Sequence, residues 1–423
     1  MKLDYKRTFF IGLAFMSISA FWQMYDSIIP LILQNTFHLK ETLTGTIMAA
    51  DNVLAVFLLP LLGTLSDKVD TRLGKRMPFI IGGTAAAVCS MLLLPLADYK
   101  VSFGLFAVAL GVTLLSMGLY RSPSVALMPD LTPKPLRSKA NAVINLMGAV
   151  GGIYSLILIS TLVGKGERPS YLPVFAGVAF LMAAAVVLLV ITVKEKKVAA
   201  EIAEKYPQED EEYEATGGKL PSDVKKSLIF LLASIFLWFT AYNAVTTAFS
   251  RYATTVWKLE GGGFANCLMV ATVAAILSYI PIGIVSSHIG RKKSILIGIV
   301  MMTACYLGAA FFTVYHPVIN IGFALIGVGW AAISVNSLPM VVEMCKGSDI
   351  GKYTGLYYTF SMAAQIVTPV LSGFFLQHIS YRTLFPYACI FSVLAFFTMS
   401  MVKHGDSKPE KKASALENFD VDD

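Results

Sequence analysis

The chain has 423 residues, of which 56% are hydrophobic and only 14% charged, with a formal net charge of +7. A soluble protein of this size carries about a quarter charged residues, so the composition and a mean hydropathy of +0.67 exclude a soluble globular class. The surplus of Lys and Arg sits in short stretches between apolar runs, which marks membrane topology and excludes nucleic acid as a partner.

Apolar runs of about 20 residues, the length that crosses a bilayer, follow one another along the chain. In order, the expected spans are residues 8–33, 43–65, 78–97, 102–128, 138–163 and 172–193, then 228–250, 264–286, 294–314, 318–343, 353–377 and 384–401. Short alternating segments, the mark of a membrane β-barrel, do not dominate. The basic prefix before the first run reads as part of a retained span, since the run continues through Pro30 and Leu33 with no cleavage signal. Residues 194–226 are too charged to bury and read as a solvated linker with a surface helix at 195–205; the tail 403–423 is polar. The expected class is therefore an all-α polytopic membrane protein with twelve transmembrane helices in two pseudo-symmetric six-helix bundles, 1–193 and 227–402. With both termini on one side, that side holds about 26 of the Lys and Arg and the other roughly 7, which places the termini and linker in the cytoplasm of a multi-pass cell-membrane protein.

Composition offers no catalytic set. The cysteines (Cys89, Cys267, Cys305, Cys345 and Cys389) are scattered without metal-ligand spacing and read as small apolar side chains. His38, His288, His316, His378 and His404 fall in loops or at span ends, and no phosphate loop, nucleophile elbow or zinc motif is present. Neither a metal nor a cofactor is expected, and the chain does not read as an enzyme.

The stretch GTLSDKVDTRLGKRMPFI after the second span joins two apolar segments with a tight polar staple: Gly63, Asp67, Arg72, Gly74, Lys75 and Arg76. A weaker copy, Gly283-x-x-x-Ser287-His288-Ile289-Gly290-Arg291-Lys292-Lys293, follows the eighth span. Pro129-Asp130 at the end of the fourth span is echoed by Glu343 at the end of the tenth, and Arg137 follows the first of these. Matching punctuation in a six-plus-six chain is the sign of two bundles that rock around a central site. Asp67 adds nothing to a positive-inside bias, so it reads as one member of a gating network with Asp130 and Arg137 as neighbours.

On these residues the chain resembles the major facilitator superfamily over nearly its whole length. The lengthened spacing of GTLSDKVDTRLGKRMPFI, with YRSPSVALMPDLTP at the end of the fourth span, resembles the sucrose-transporter-type group and its glycoside–pentoside–hexuronide:cation symporter relatives. The resemblance implies secondary transport of a sugar by alternating access. Ser287 stands where the second copy of the motif has an acid, so the second half is expected to be latched less firmly by charge.

Buried charges carry the functional expectation. Asp26, Asp51 and Arg121 lie inside apolar runs of the first half, whereas no charge lies well inside the spans of the second. A charge at mid-membrane costs about 2.5 kcal/mol or more and is kept where it faces a cavity or a partner. Asp26 and Asp51 fall at similar depth in the outer half, and such a pair can hold and pass on a proton; both are expected to couple the cation. Neutral binding groups surround them: Gln23, Tyr25 and Asn52 beside Arg121 and Asn145, and, in the second half, Trp238, Tyr242, Asn243, Asn336 and Gln365. Aromatic faces stack on sugar rings, while amides read hydroxyls. The expected activity is uptake of a neutral disaccharide or other glycoside with H+, Na+ being the second ion that such a donor set suits. The partners are then a small sugar and the lipid bilayer, and the chain acts as a monomer. Efflux of amphipathic cations by an antiporter is the second reading, disfavoured by Arg121, and a non-transporting membrane sensor is the third.

Overall fold

The computed structural model describes residues 3–133, 136–166, 168–205, 221–344 and 350–406. Cys345, the linker between 206 and 220 and the tail from 407 lie outside that description, as do the side chains of Asp67, Ser287 and the surroundings of Gly63. Among the described residues the chain forms fourteen α-helices and no strand. They are α1 (Tyr5–Asn35), α2 (Glu41–Lys68), α3 (Met77–Met91), α4 (Leu93–Tyr99), α5 (Phe103–Asp130), α6 (Arg137–Leu162), α7 (Leu172–Thr192) and α8 (Glu195–Lys205). These are followed by α9 (Ser222–Thr255), α10 (Phe264–Ile289), α11 (Arg291–Ala310), α12 (Ile319–Glu343), α13 (Ile350–His378) and, after one 3-10 turn at Tyr381–Thr383, α14 (Leu384–Ser400). Among the described residues eleven stretches are long and apolar enough to cross a membrane. The 28-residue α2 completes the twelve spans.

Two of these elements differ from expectation for local reasons. The third span breaks at Leu92, because Pro95 has no N–H to give to the carbonyl of Met91, so α3 stops and α4 restarts. The seventh span extends from the expected 228–250 to Ser222–Thr255, which carries Arg251 into the helix.

The chain divides into two compact units. The first comprises Met1–Leu39, Ala50–Glu209 and Glu260–Asn266, and the second Lys40–Ala49, Asp210–Leu259 and Cys267–Asp423. Helix α2 thus begins in the second unit and continues in the first. In the first unit α1 packs on α6, α7 and α5, while α3 packs on α5 and α7. Lipid offers no hydrophobic drive between helices, so contact rests on close approach and interhelical hydrogen bonds. Gly151 supplies the approach: a Cβ there would fall 1.9 Å from the carbonyl oxygen of Met16. Ser17 Oγ and Tyr120 OH supply a bond, 2.6 Å apart, between α1 and α5. In the second unit α9 packs on α14 and α13, and α11 on α12 and α14. Gly298 and Gly329 meet there in the same way, a Cβ on Gly298 lying 2.6 Å from the Gly329 oxygen.

Candidate functional site

In the first unit, α1, α2 and α5 bring Trp22, Asp51 and Arg121 to one small, partly open pocket. Its remaining lining is apolar: Leu54, Ala55, Leu58, Leu114 and Gly118. The Arg121 guanidinium lies over the Trp22 ring, 5.9 Å from its centroid. The neighbouring Tyr120 fixes α5 at this level, since its OH also donates to the carbonyl of Ala14 at 3.2 Å. Asn52 donates to Asp51 Oδ1 at 3.0 Å and holds that carboxylate in place. Asp51 lies within electrostatic reach of both Asp26 and Arg121, so the two acids and the arginine form one charge cluster. Gln23 donates to Ser27 Oγ at 3.3 Å. Tyr25, 1% exposed, packs against Phe21 and Trp22. The Tyr25 hydroxyl and the Trp22 indole N–H are buried with no hydrogen-bond partner among the described residues. Buried donors are rarely left so, and a polar guest would satisfy both. Asn145 is half-buried on α6.

In the second unit the expected aromatic groups gather on α9 and α12. Tyr242 stacks on Trp330 with ring centroids 3.8 Å apart and planes at 8°. Trp238, 1% exposed, lies one turn earlier on α9, and its indole N–H has no hydrogen-bond partner among the described residues; nor has Asn243 Nδ2. Asn336 is differently placed. Its amide donates to Ser286 Oγ at 2.9 Å and to the Ala332 carbonyl at 2.8 Å, so it serves the packing of α12 on α10. Gln365 is half-buried on α13. Among the described residues no group of three His, Cys, Asp or Glu is disposed to hold a metal ion.

The polar staple is a tight turn. Thr71 and Gly74 exchange backbone bonds of 3.3 and 3.2 Å, and Gly74 adopts φ +121°, which favours glycine. Arg76 then points its guanidinium at Asp130, with Nε 2.9 Å from Oδ2, and also donates to Ser66 Oγ. Arg137 donates instead to the carbonyls of Pro129 and Thr132, at 2.9 and 3.3 Å, and so caps the end of α5. The side chains of Arg72 and Lys75 are exposed. In the second unit Arg291, at the start of α11, forms an ion pair with Glu343, at the end of α12. The two units therefore carry the same device: a basic residue opening one helix and an acid closing another.

Three acids outside the sequence-based set complete this picture. Glu195 opens α8, yet its carboxylate accepts from the backbone N–H groups of Lys75 (2.7 Å), Arg76 (3.0 Å) and Met77 (3.0 Å), which start α3. Asp406 accepts from the N–H of Lys292 at 2.8 Å, at the start of α11. Glu41 pairs with Arg251 across 2.5 Å, with side chains 5% and 1% exposed, and also accepts from Tyr381 OH. Arg251 lies in the last turns of α9, so no charge well inside a span of the second half is added; it is nonetheless buried, because the run after Ser250 stays helical and Glu41 meets it. Glu195 and Asp406 gave no sequence signal beyond lying in charged segments.

Residues 10–346 match the family described as MFS/sugar transport protein. A 116-residue segment, 27% of this chain, is 28% identical to an uncharacterized MFS-type transporter of Methanocaldococcus jannaschii, of which it spans 29%. The fold is similar to that of several solved transporters. The peptide transporter POT superposes with a TM-score of 0.71 at 12% identity, covering 95% of each chain. The nucleoside transporter NupG gives 0.68 at 14%, covering 94% of this chain and 100% of that one. The human organic anion transporter MFSD10 gives 0.61 at 14%, covering 95% and 100%. With a charge cluster inside a bundle of spans, paired helix-end ion pairs and a family match over most of its length, the chain is a membrane transporter belonging to the MFS/sugar transport protein family of the major facilitator superfamily.

Proposed function

We propose that this transporter takes up a neutral glycoside, a disaccharide such as sucrose, together with a proton. The observation that carries the reading is the pocket at Trp22, Asp51 and Arg121, where an acid, a cation and an aromatic face meet in an otherwise apolar setting. Asp51 and Asp26 take the coupling proton. Arg121 and the partnerless donors of Trp22 and Tyr25 offer hydrogen bonds to sugar hydroxyls. Trp238, Tyr242 and Asn243 are the candidate recognition groups of the second unit. Both termini lie in the cytoplasm, and the ion pairs Arg76–Asp130 and Arg291–Glu343 close the cytoplasmic end and break on inward opening. The family description, which includes sugar transport, supports the substrate class.

The test is uptake of radiolabelled sucrose and a panel of other glycosides into proteoliposomes, with and without an imposed pH gradient, and with Na+ replacing the gradient. The expected result is accumulation driven by inward-directed protons and lost in both Asp51→Asn and Asp26→Asn. Gradient-driven uptake that survives both substitutions overturns the coupling assignment. Proton-driven export of a lipophilic cation identifies an antiporter, and no flux of any probe favours a sensor.

A further inference from the structure

One histidine joins the start of α9 to the turn that follows α14. In that turn, His404 sets Nδ1 2.8 Å from Ser227 Oγ of α9. Ser227 is 3% exposed and His404 half-buried. The Ser227 oxygen also accepts the N–H of Lys403 at 3.2 Å. Its single proton is then left for the ring, and Nδ1 of an uncharged imidazole accepts it. The turn is clamped on its other sides. The Val402 carbonyl takes Lys292 Nζ at 2.6 Å. Gly405 adopts φ +78°, and a Cβ on it would lie 2.6 Å from the Met340 carbonyl oxygen of α12. The ring is therefore held against α9, in a contact that is sensitive to charge. Histidine changes charge between about pH 5 and 8. An imidazolium carries N–H on both nitrogens, so Nδ1 no longer accepts. It must donate to an oxygen that already holds the Lys403 N–H, and the Ser227 proton must turn away. The new charge also meets like charges: Lys403 beside it, Lys225 and Lys226 on α9, and Arg291, Lys292 and Lys293 on α11. The acids of the packed elements are engaged or exposed. Asp406 accepts from the Lys292 N–H, Glu343 pairs with Arg291, and Asp223 on α9 is exposed.

We propose that His404 is a pH sensor of the transporter: its uncharged ring fastens the start of α9 to the turn after α14, and its protonation loosens that fastening and slows transport. Helix α9 also carries Trp238, Tyr242 and Asn243, so the sensor acts on the helix that holds the candidate recognition groups. In a carrier that brings protons in, such a sensor sets the rate against the acid already inside. The regulated act rests on the proposed uptake, and the compartment that is sensed rests on the proposed placement of the tail in the cytoplasm.

Two arms test the sensor, both with equal pH on the two sides of the membrane, so neither depends on the topology. The first needs no substrate: deuterium exchange of the full chain at the amides of residues 223–230, corrected for the chemical pH dependence of exchange. Wild type is expected to exchange about fivefold faster at pH 5.5 than at pH 7.5, the factor that one lost hydrogen bond gives. His404→Gln, neutral at both values, is expected to stay slow at both, and Ser227→Ala to be fast at both. His288→Gln, at an exposed histidine at the end of α10, is expected to keep the wild-type response. The second arm is exchange of radiolabelled sucrose across proteoliposomes. His404→Gln is expected to match wild type at pH 7.5 and to run about fivefold faster than wild type at pH 5.5. Equal protection of wild type at the two pH values overturns the proposal, as does a His404→Gln variant that keeps the wild-type pH response in either arm. If wild type carries no glycoside, the uptake reading fails, while deuterium exchange still decides whether His404 senses pH.

Discussion

Replacing Arg251 by leucine tests the buried pair at the start of α2. The guanidinium is 1% exposed and its partner carboxylate 5%, with Nη1 and Oε2 2.5 Å apart. Arg251 Nη2 also reaches the Thr247 carbonyl at 3.3 Å. The Glu41 turn cannot swing out to water. Gly45 and Gly373 bring α2 and α13 so close that Cβ atoms on them would lie 2.0 Å from the Pro369 oxygen and 2.6 Å from the Glu41 oxygen. Arg251→Leu therefore strands a carboxylate in a dry contact, and the loss is about 3–5 kcal/mol. At roughly 2 °C per kcal/mol for a unit of this size, the melting temperature in detergent falls by roughly 6–10 °C. Glu41→Leu alone has a similar effect, leaving the arginine stranded. The double variant Glu41→Leu/Arg251→Leu recovers most of the loss, because an apolar replacement of a buried pair is often neutral. Thermal melts of the four proteins, read as a double-mutant cycle, check this. Single variants within about 0.5 kcal/mol of wild type, or losses that simply add, refute the reasoning and make the pair a solvated one.

The remaining predictions use the same logic at other depths. Gly151→Ala is expected to cost about 1–3 kcal/mol by forcing α1 and α6 apart, since the added Cβ meets the Met16 carbonyl. Gly111→Ala, where nothing lies within 4 Å, is expected to be neutral or to stabilise by up to about 1 kcal/mol; melting curves of the pair distinguish crowding from helix propensity. Lys196→Ala removes an ion pair to Asp70 whose side chains are 60% and 64% exposed, so its melting temperature is expected to match wild type, the cost being below about 0.5 kcal/mol. Trp330→Ala is expected to cost about 3–5 kcal/mol and to disturb Tyr242, whose ring it stacks; retention of both stability and sucrose affinity shows that the stack serves neither.

Much of this was legible because a bilayer imposes strong rules. Span length, the six-plus-six repeat and the helix ends at Asp130 and Glu343 follow from hydropathy and punctuation, and the structure puts a basic partner on each of those acids. Asp26, Asp51 and Arg121 announce themselves because charges in apolar runs need company, and they share one cluster. What sequence did not disclose depends on contacts between distant segments. Glu195 and Asp406 sit among many charged residues of a linker and a tail, and only the fold distinguishes them from solvated neighbours such as Lys197 and Glu201. Arg251 lies where hydropathy ends, so whether it is buried depends on Glu41, more than two hundred positions away in the chain. Asn336 shows the converse. An amide inside an apolar run looks like a binding group, but its donors are committed to Ser286 and Ala332.

The placement of charge also limits how the transporter can be built. The buried acids of the first unit lie mid-helix on α1 and α2, whereas the buried pair of the second lies at the ends of α2 and α9. Glu41 is matched by Arg251 at 2.5 Å inside packed backbone and does not line the pocket. Asp51 is held by a neutral amide, shares a cluster with Arg121 and borders the pocket. On the proposed function, coupling belongs to the first unit and fastening to the second. That division requires Asp51→Asn to abolish proton-driven sucrose uptake while leaving the melting temperature near that of wild type, and Glu41→Leu to do the reverse in severity, destabilising the protein strongly while the surviving folded fraction still responds to the pH gradient. If Glu41→Leu instead uncouples uptake from protons in folded protein, the assignment of roles to the two units is wrong.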